Sequence, residues 1–267
     1  MTGVAVSILD ELASGRLRAA VPDPAAPDGW RVDPEAKAAI LGCFGDRETR
    51  LWEVGPLVFR DRVGVPLKPL LDDPDALVAT AAGRPWRIVP GGTSIRAGAH
   101  LEPGVVVMPP AFINIGAWVG EDAMVDSHVL VGSCAQIGAR VHLAAAVQVG
   151  GVLEPPGARP VIVVDDAFVG AGALLLDGIL VRAGAVIAAG VTLTGTSTIY
   201  DTVRETELVG TNDRPTVVPA GAVVVPGMRS IRGDYAERHG LGQLVPLIVK
   251  YRDAVTDRRV ALEEALR

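Results

Sequence analysis

The sequence predicts a mainly β chain whose centre is a parallel β-helix, a solenoid of short flat coils. Three observations carry this prediction. From Ile95 an aliphatic residue falls on every sixth position ten times in a row: Ile95, Leu101, Val107, Ile113, Val119, Val125, Val131, Ile137, Leu143 and Val149. The period resumes in a new phase at Val163, Val169, Leu175, Val181, Ile187, Leu193 and Ile199, with an echo at Val218 and Val224. Such a period is neither that of a helix nor that of simple strand alternation. It is the hexapeptide pattern, in which three hexads close one coil and each aliphatic residue points inward. Secondly, glycine directly follows the aliphatic residue at Gly120, Gly132, Gly138, Gly150 and Gly170, and small residues fill most other slots, as tight corners require. Thirdly, 49% of residues are hydrophobic but only 4% are aromatic, which suits a column filled by Ile, Val, Leu and Ala.

The elements follow in order. Residues 1–85 read as a small α-rich N-terminal domain. Within it, SILDELASGRL (7–17) has helical spacing at Ile8, Leu9 and Leu12 and is ended by Gly15. The Pro-rich VPDPAAPDG breaks structure. A second helix opens at Asp33-Pro34-Glu35, with Asp33 as N-cap and Pro34 in the first turn. Residues 86–227 form the β-helix domain. Val149 and Val163 lie fourteen positions apart, two more than two hexads, so the insert EPPGARP bulges out as a loop. Residues 228–267 form a C-terminal cap, with a strand-like LVPLIVKY and a final helix, RRVALEEALR. Solenoids need such caps to cover their open ends.

Composition narrows the function. A net charge of −6 argues against nucleic acid as a partner. Cys43 and Cys134 form no CxxC, so neither a zinc finger nor a disulfide framework is indicated. The N-terminal stretch carries acidic residues where a signal peptide has a basic region, and no run approaches the roughly 18 apolar residues of a membrane span. A cytoplasmic protein with no membrane partner is expected. No phosphate loop or nucleophile elbow occurs. Solenoids of this type can hold zinc on three histidines, as in γ-carbonic anhydrases. His100, His128, His142 and His239 lack the paired inter-coil spacing, so no metal is expected.

The segment AMVDSHVLVGSCAQIGARVHLAAAVQVGGVLEP resembles the tetrahydrodipicolinate N-succinyltransferases, whose pattern is TMVDTWATVGSCAQIG followed by VHLSGGVGIGGVLEP. Met124, Val125, Asp126, the block from Val131 to Gly138, Val141 to Leu143 and the block from Gly150 to Pro155 are kept. WRIVP (86–90), INIGAWVG, STIYD, VPAGAVVV and the C-terminal tail also have counterparts, so the resemblance covers most of residues 30–267. It implies a left-handed β-helix, which period alone does not decide. It also implies an acyl-CoA-dependent N-acyltransferase acting as a homotrimer, with active sites in grooves between subunits and a small amine or amino-acid acceptor. The co-substrate is succinyl-CoA or acetyl-CoA.

Acyl transfer needs a neutral amine and a group that orients it and takes its proton. By resemblance Asp126 is that group, the carbonyl of Gly151 contacts the same amine, and Arg87 binds an acceptor carboxylate, a task suited to a guanidinium. Asp126 follows an inward residue and should face outward; a corner aspartate that caps turn amides is the plain alternative. Cys134 reads as structural, since no covalent intermediate is required. The departures cluster. The family's FIGARSEVVEG becomes FVGAGALLLDG (168–178), which puts Gly172, Ala173 and Leu174 where arginine, serine and a proposed acid/base glutamate stand. SGG and GIGG become Ala144 to Ala146 and Gln148 to Gly151, and a tryptophan becomes His128. Read as extended chain, His128 shares a side with Asp126 and offers a replacement base. The expectation is a retained acyl transfer with an altered acceptor site. A genuine lysine-pathway enzyme and a non-catalytic trimeric scaffold stay open as alternatives.

Overall fold

The computed structural model describes residues 7–45, 47–54, 57–68 and 84–253. Three parallel sheets wrap one apolar column, and each coil contributes a two-residue strand to each sheet. We name the faces after one inward residue each. On the Val125 face, Ile88, Val107, Val125, Leu143, Val169, Ile187 and Val224 stack in register. On the Val131 face, Ile95, Ile113, Val131, Val149, Leu175 and Leu193 do so. On the Val119 face the column is Leu101, Val119, Ile137, Val163, Val181 and Val218. The sequence period therefore maps onto three columns whose members lie one coil apart, about 4.8 Å. The echo at Val218 and Val224 is the same solenoid continuing after the antiparallel hairpin Thr198–Asp201 and Thr206–Val209.

The glycines after the inward residues have a reason other than the one expected. The corner positions with positive φ lie two residues later, and many are not glycine: Asp122, His128, Cys134, Arg140 and Ala146. Gly132 is required by close approach instead. A Cβ there would lie 2.2 Å from the Gly151 nitrogen of the next coil, a distance no side chain tolerates.

Both predicted N-terminal helices are present. Ile8–Ala13 starts with a capping box between Ser7 and Asp10. In Pro34–Cys43, Asp33 accepts the Ala36 N–H at 2.9 Å and Pro34 sits in the first turn. Two antiparallel ribbons accompany them, Ala20–Pro22 with Trp30–Val32 and Thr49–Val54 with Leu57–Arg62. The sequence reading had not foreseen these ribbons. This segment packs onto the solenoid. Leu12, Ala19, Ile40 and Val65 meet Ile115 and Cys134 at one corner. Ala20 meets Ile162 and Leu180 on the Val119 face, where Arg18 lies 3.9 Å over the Trp118 ring.

At each end of the prism one of the three sheets is met by chain running antiparallel to it. At the first coil, Leu67 bridges Arg96 antiparallel, and Lys68 N–H and Ala97 N–H bond Ile95 O and Pro66 O at 2.7 and 2.9 Å. At the last coil, Ala222–Ser230 pairs antiparallel with Gly242–Tyr251. The expected C-terminal strand is thus present, preceded by a short helix, Asp234–Arg238. The expected final helix falls outside the described residues. No helix among the described residues is long and apolar enough to cross a membrane.

Candidate active site

Asp126, Ser127 and His128 form the corner between the Val125 and Val131 faces. Hydrogen bonds to carbonyls one coil below stack these corners. His128 N–H bonds Pro110 O, Ala146 N–H bonds Ser127 O, Gly172 N–H bonds Ala145 O and Gly190 N–H bonds Ala171 O, at 2.6 to 2.9 Å. Above His128 the corner carries only alanine and glycine: Ala145, Ala146, Ala171, Gly172, Ala189 and Gly190. It is a bare edge beside Asp126.

The Asp126 carboxylate is half-buried and accepts the Ser127 N–H at 2.6 Å. It thus serves as the corner cap, while its other oxygen has no hydrogen bond within the described chain. His128 has φ +62° and an exposed ring. The chain between the two residues is a turn, so the extended-chain argument for placing both side chains on one side fails. His128 sits at a left-handed corner, where strand alternation does not apply.

The outward column of the Val131 face runs beside the Asp126 corner. Leu130, Gln148 and Leu174 follow one another in strand register. All three are partly exposed. Gln148 Nε2 donates to His128 O at 3.1 Å, which ties this column to the Asp126 corner. At Gly172 an added Cβ would meet nothing within 4 Å, so the corner is open there. Ala173, by contrast, is fully buried in the central column. Of the three altered motif positions, Gly172 and Leu174 border the surface, and Ala173 does not.

Gly151 stands at the opposite edge of the Val131 face, exposed, where the chain leaves the solenoid. It borders a groove of about 1140 Å³ that Trp30, Glu154, Arg159, Asp177 and Asp213 also line. The loop that follows is anchored by two buried cations. Lys37 Nζ donates to Pro155 O at 3.3 Å and Ala158 O at 2.6 Å. Arg159 donates to Gly178 O at 2.8 Å, Asp28 Oδ2 at 2.6 Å and Pro215 O at 2.7 Å. Burial lowers the pKa of both cations; the Asp28 carboxylate opposes this at Arg159.

Arg87 is exposed and stands elsewhere, on the Val125 face. Its register partners are Val106 and then Met124, which places it two coils, roughly 10 Å, toward the N-terminal end from Asp126. Within one chain, Asp126, His128, Gly151 and Leu174 therefore border the Val131 face, and Arg87 lies on its neighbour. Cys134 is buried beneath helix Pro34–Cys43, and burial pushes its thiol up to about 12. That environment suppresses the thiolate a nucleophile needs.

Sequence reasoning left Gln148, Lys37 and Arg159 off the list of site residues. Gln148 carried a signal, a long polar side chain where the resembled motif has glycine. Lys37 and Arg159 carried none, because their partners lie far away in the chain.

No family model matches the chain. Curated relatives match it over nearly its whole length. A 2,3,4,5-tetrahydropyridine-2,6-dicarboxylate N-succinyltransferase from Idiomarina loihiensis is 40% identical over 97% of this chain and 87% of its own. The enzyme of that name from Dechloromonas aromatica is 37% identical over 98% and 88%, and that from Methylorubrum extorquens 36% identical over 100% and 91%. Identity at this level and breadth, on a solenoid that stacks the matched blocks in register, means that the chain belongs to the 2,3,4,5-tetrahydropyridine-2,6-dicarboxylate N-succinyltransferase family.

Proposed function

We propose that this N-acyltransferase moves a succinyl or acetyl group from CoA to the amino group of a small amino-acid-like acceptor, with an acceptor site altered from that of its relatives. The observation that carries this reading is the wall of the Val131 face. Leu130, Gln148 and Leu174 present two apolar side chains and a neutral amide beside the Asp126 corner. A second carboxylate on the acceptor would meet no cation among these three side chains and would be poorly compensated by them.

The chemistry needs few groups. Asp126 orients the amine and takes its proton as nitrogen attacks the thioester carbonyl. The C–N bond forms, the C–S bond breaks and the thiolate of CoA leaves. The Gly151 carbonyl stands at the opposite edge of the face, so it contacts the same amine only when a neighbouring subunit supplies it across the groove. Arg87 pairs with an acceptor carboxylate. Because it lies on the neighbouring face, this role requires a groove between subunits, which a homotrimer supplies. The bare corner from Ala145 to Gly190 leaves room for the pantetheine arm. His128 is a further proton-transfer candidate on the same corner. Full activity in His128→Ala would discard it.

A second reading is favoured by the names of the relatives, that this chain acts on tetrahydrodipicolinate with succinyl-CoA. A thiol-release assay separates the two. Purified protein is given succinyl-CoA or acetyl-CoA and a panel of amino acids that includes L-2-aminopimelate. Strong turnover of succinyl-CoA with aminopimelate supports the second reading. Turnover with other amines alone supports the first. A protein that neither binds CoA nor releases thiol would be a scaffold.

A further inference from the structure

Gln148 sits between two leucines, Leu130 below and Leu174 above. Its Nε2 lies 3.1 Å from His128 O and 3.2 Å from both Ala146 O and Val147 O. An amide nitrogen donates and its oxygen accepts, so three surrounding carbonyls fix which way the group faces. Two N–H protons meet three acceptors, and the donating capacity of Gln148 is used up on the corner. Oε1 is left on the far side of the amide, and none of the described residues hydrogen-bonds it. The side chain is partly exposed, so this oxygen borders the surface of the wall.

Two consequences follow for a molecule lying on this wall. A donor, N–H or O–H, meets an oriented acceptor. A carboxylate meets oxygen lone pairs instead. The amide cannot turn over to greet it without setting Oε1 against three carbonyl oxygens and forfeiting the hydrogen bonds Nε2 now makes. The bulk of the side chain also fills space that a glycine would leave free. We infer that Gln148 is a specificity-determining residue of the acceptor site, whose oxygen accepts a hydrogen bond from the acceptor and turns away a second carboxylate. This rests on reading the Val131 face as the acceptor site.

The test uses two amino acids of equal chain length, L-2-aminopimelate and L-2-aminoheptanoate, which differ by the distal carboxylate. Turnover, and binding to the CoA-loaded protein by calorimetry, are measured for the unaltered protein, Gln148→Gly and Gln148→Leu. The unaltered protein is expected to favour aminoheptanoate by about tenfold or more. Gln148→Gly should move that ratio toward aminopimelate by about tenfold. Gln148→Leu, which keeps the bulk and loses the amide, should weaken aminoheptanoate, remove the repulsion of the distal carboxylate and so move the ratio the same way, with KM for acyl-CoA unchanged. A ratio in Gln148→Gly that stays at its original value overturns the inference, as does binding of neither amino acid to any of the three. An active enzyme with an unmoved ratio refutes the role of Gln148 alone. Absence of CoA binding and thiol release in the unaltered protein refutes the acyltransferase reading itself.

Discussion

Asp126 caps its own corner, and in the proposed reaction the same carboxylate takes the proton of the amine. One oxygen caps the Ser127 N–H at 2.6 Å, and the other makes no hydrogen bond among the described residues. A side-chain amide in its place would retain an oxygen for the cap and lose the capacity to take a proton. Asp126→Asn is therefore expected to lower kcat by about 10²- to 10⁴-fold, with CoA affinity and melting temperature near those of the unaltered protein. Steady-state kinetics beside calorimetry checks this, and a matching loss of CoA binding would assign Asp126 to the cofactor groove instead. The residue scale is also where sequence reading reached its limit. That Val125 points inward follows from the period, and so does the outward turn of Asp126. The left-handed corner at His128 was invisible, because any short polar or small residue can stand at such a position without a glycine to mark it. Asp122, Cys134 and Ala146 occupy equivalent corners with equally unmarked sequences.

At the scale of elements, the loop after Gly151 is the least local part of the site. Its length was legible from the fourteen-residue gap, and its bulge from Pro and Gly. Its anchors were not, since Lys37 reaches Pro155 across 118 positions of sequence and Arg159 reaches Asp28 across 131. Arg159→Met keeps the volume of the stem and removes the fork. The carbonyls of Gly178 and Pro215 and the Asp28 carboxylate would each lose a donor, at about 1–3 kcal/mol for a buried group left unpaired. Asp28 is partly exposed and contributes at the low end. The expected outcome is faster amide exchange across residues 151–159 and a raised KM for the acceptor, with KM for acyl-CoA unchanged. If exchange rose throughout the solenoid, Arg159 would be a global staple and not a local one. The N-terminal ribbons were missed for a different reason. Thr49–Val54 and Leu57–Arg62 expose several of their large apolar residues, such as Leu51, Val58 and Phe59, so their alternation does not report a buried face.

Across the whole molecule, stability is a sum over neighbouring coils. Ile137 is fully buried between Val119 and Val163 and belongs to the central column. Ile137→Ala removes contacts with both neighbours in its stack and is expected to cost about 2–5 kcal/mol, read as a lower midpoint in denaturant unfolding. Because the defect lies mid-column, the coils on either side should lose cooperativity and the slope of the transition should fall. A lower midpoint with an unchanged slope would show that the column still melts as one unit. The column itself was almost wholly legible in the sequence, since a single constraint, one aliphatic residue per side of each coil, is repeated without exception until the insert. The packing of residues 12–40 against one corner was not, because it joins a helical pattern to a solenoid pattern and neither encodes the other.

The chain segments that run antiparallel at the two ends of the prism have a consequence beyond covering apolar surface. A stack of parallel coils is a natural template for its own extension, because each terminal strand offers the hydrogen-bonding edge that another copy would continue. At each end one of the three sheet edges is occupied in the antiparallel sense, by Leu67 on the Val131 face and by Gly242–Tyr251 on the Val125 face. An incoming coil would have to displace covalently attached chain to add itself in the parallel sense. A coil added in register on all three faces is thereby obstructed at each end, which disfavours end-to-end growth of a protein built like a fibril segment.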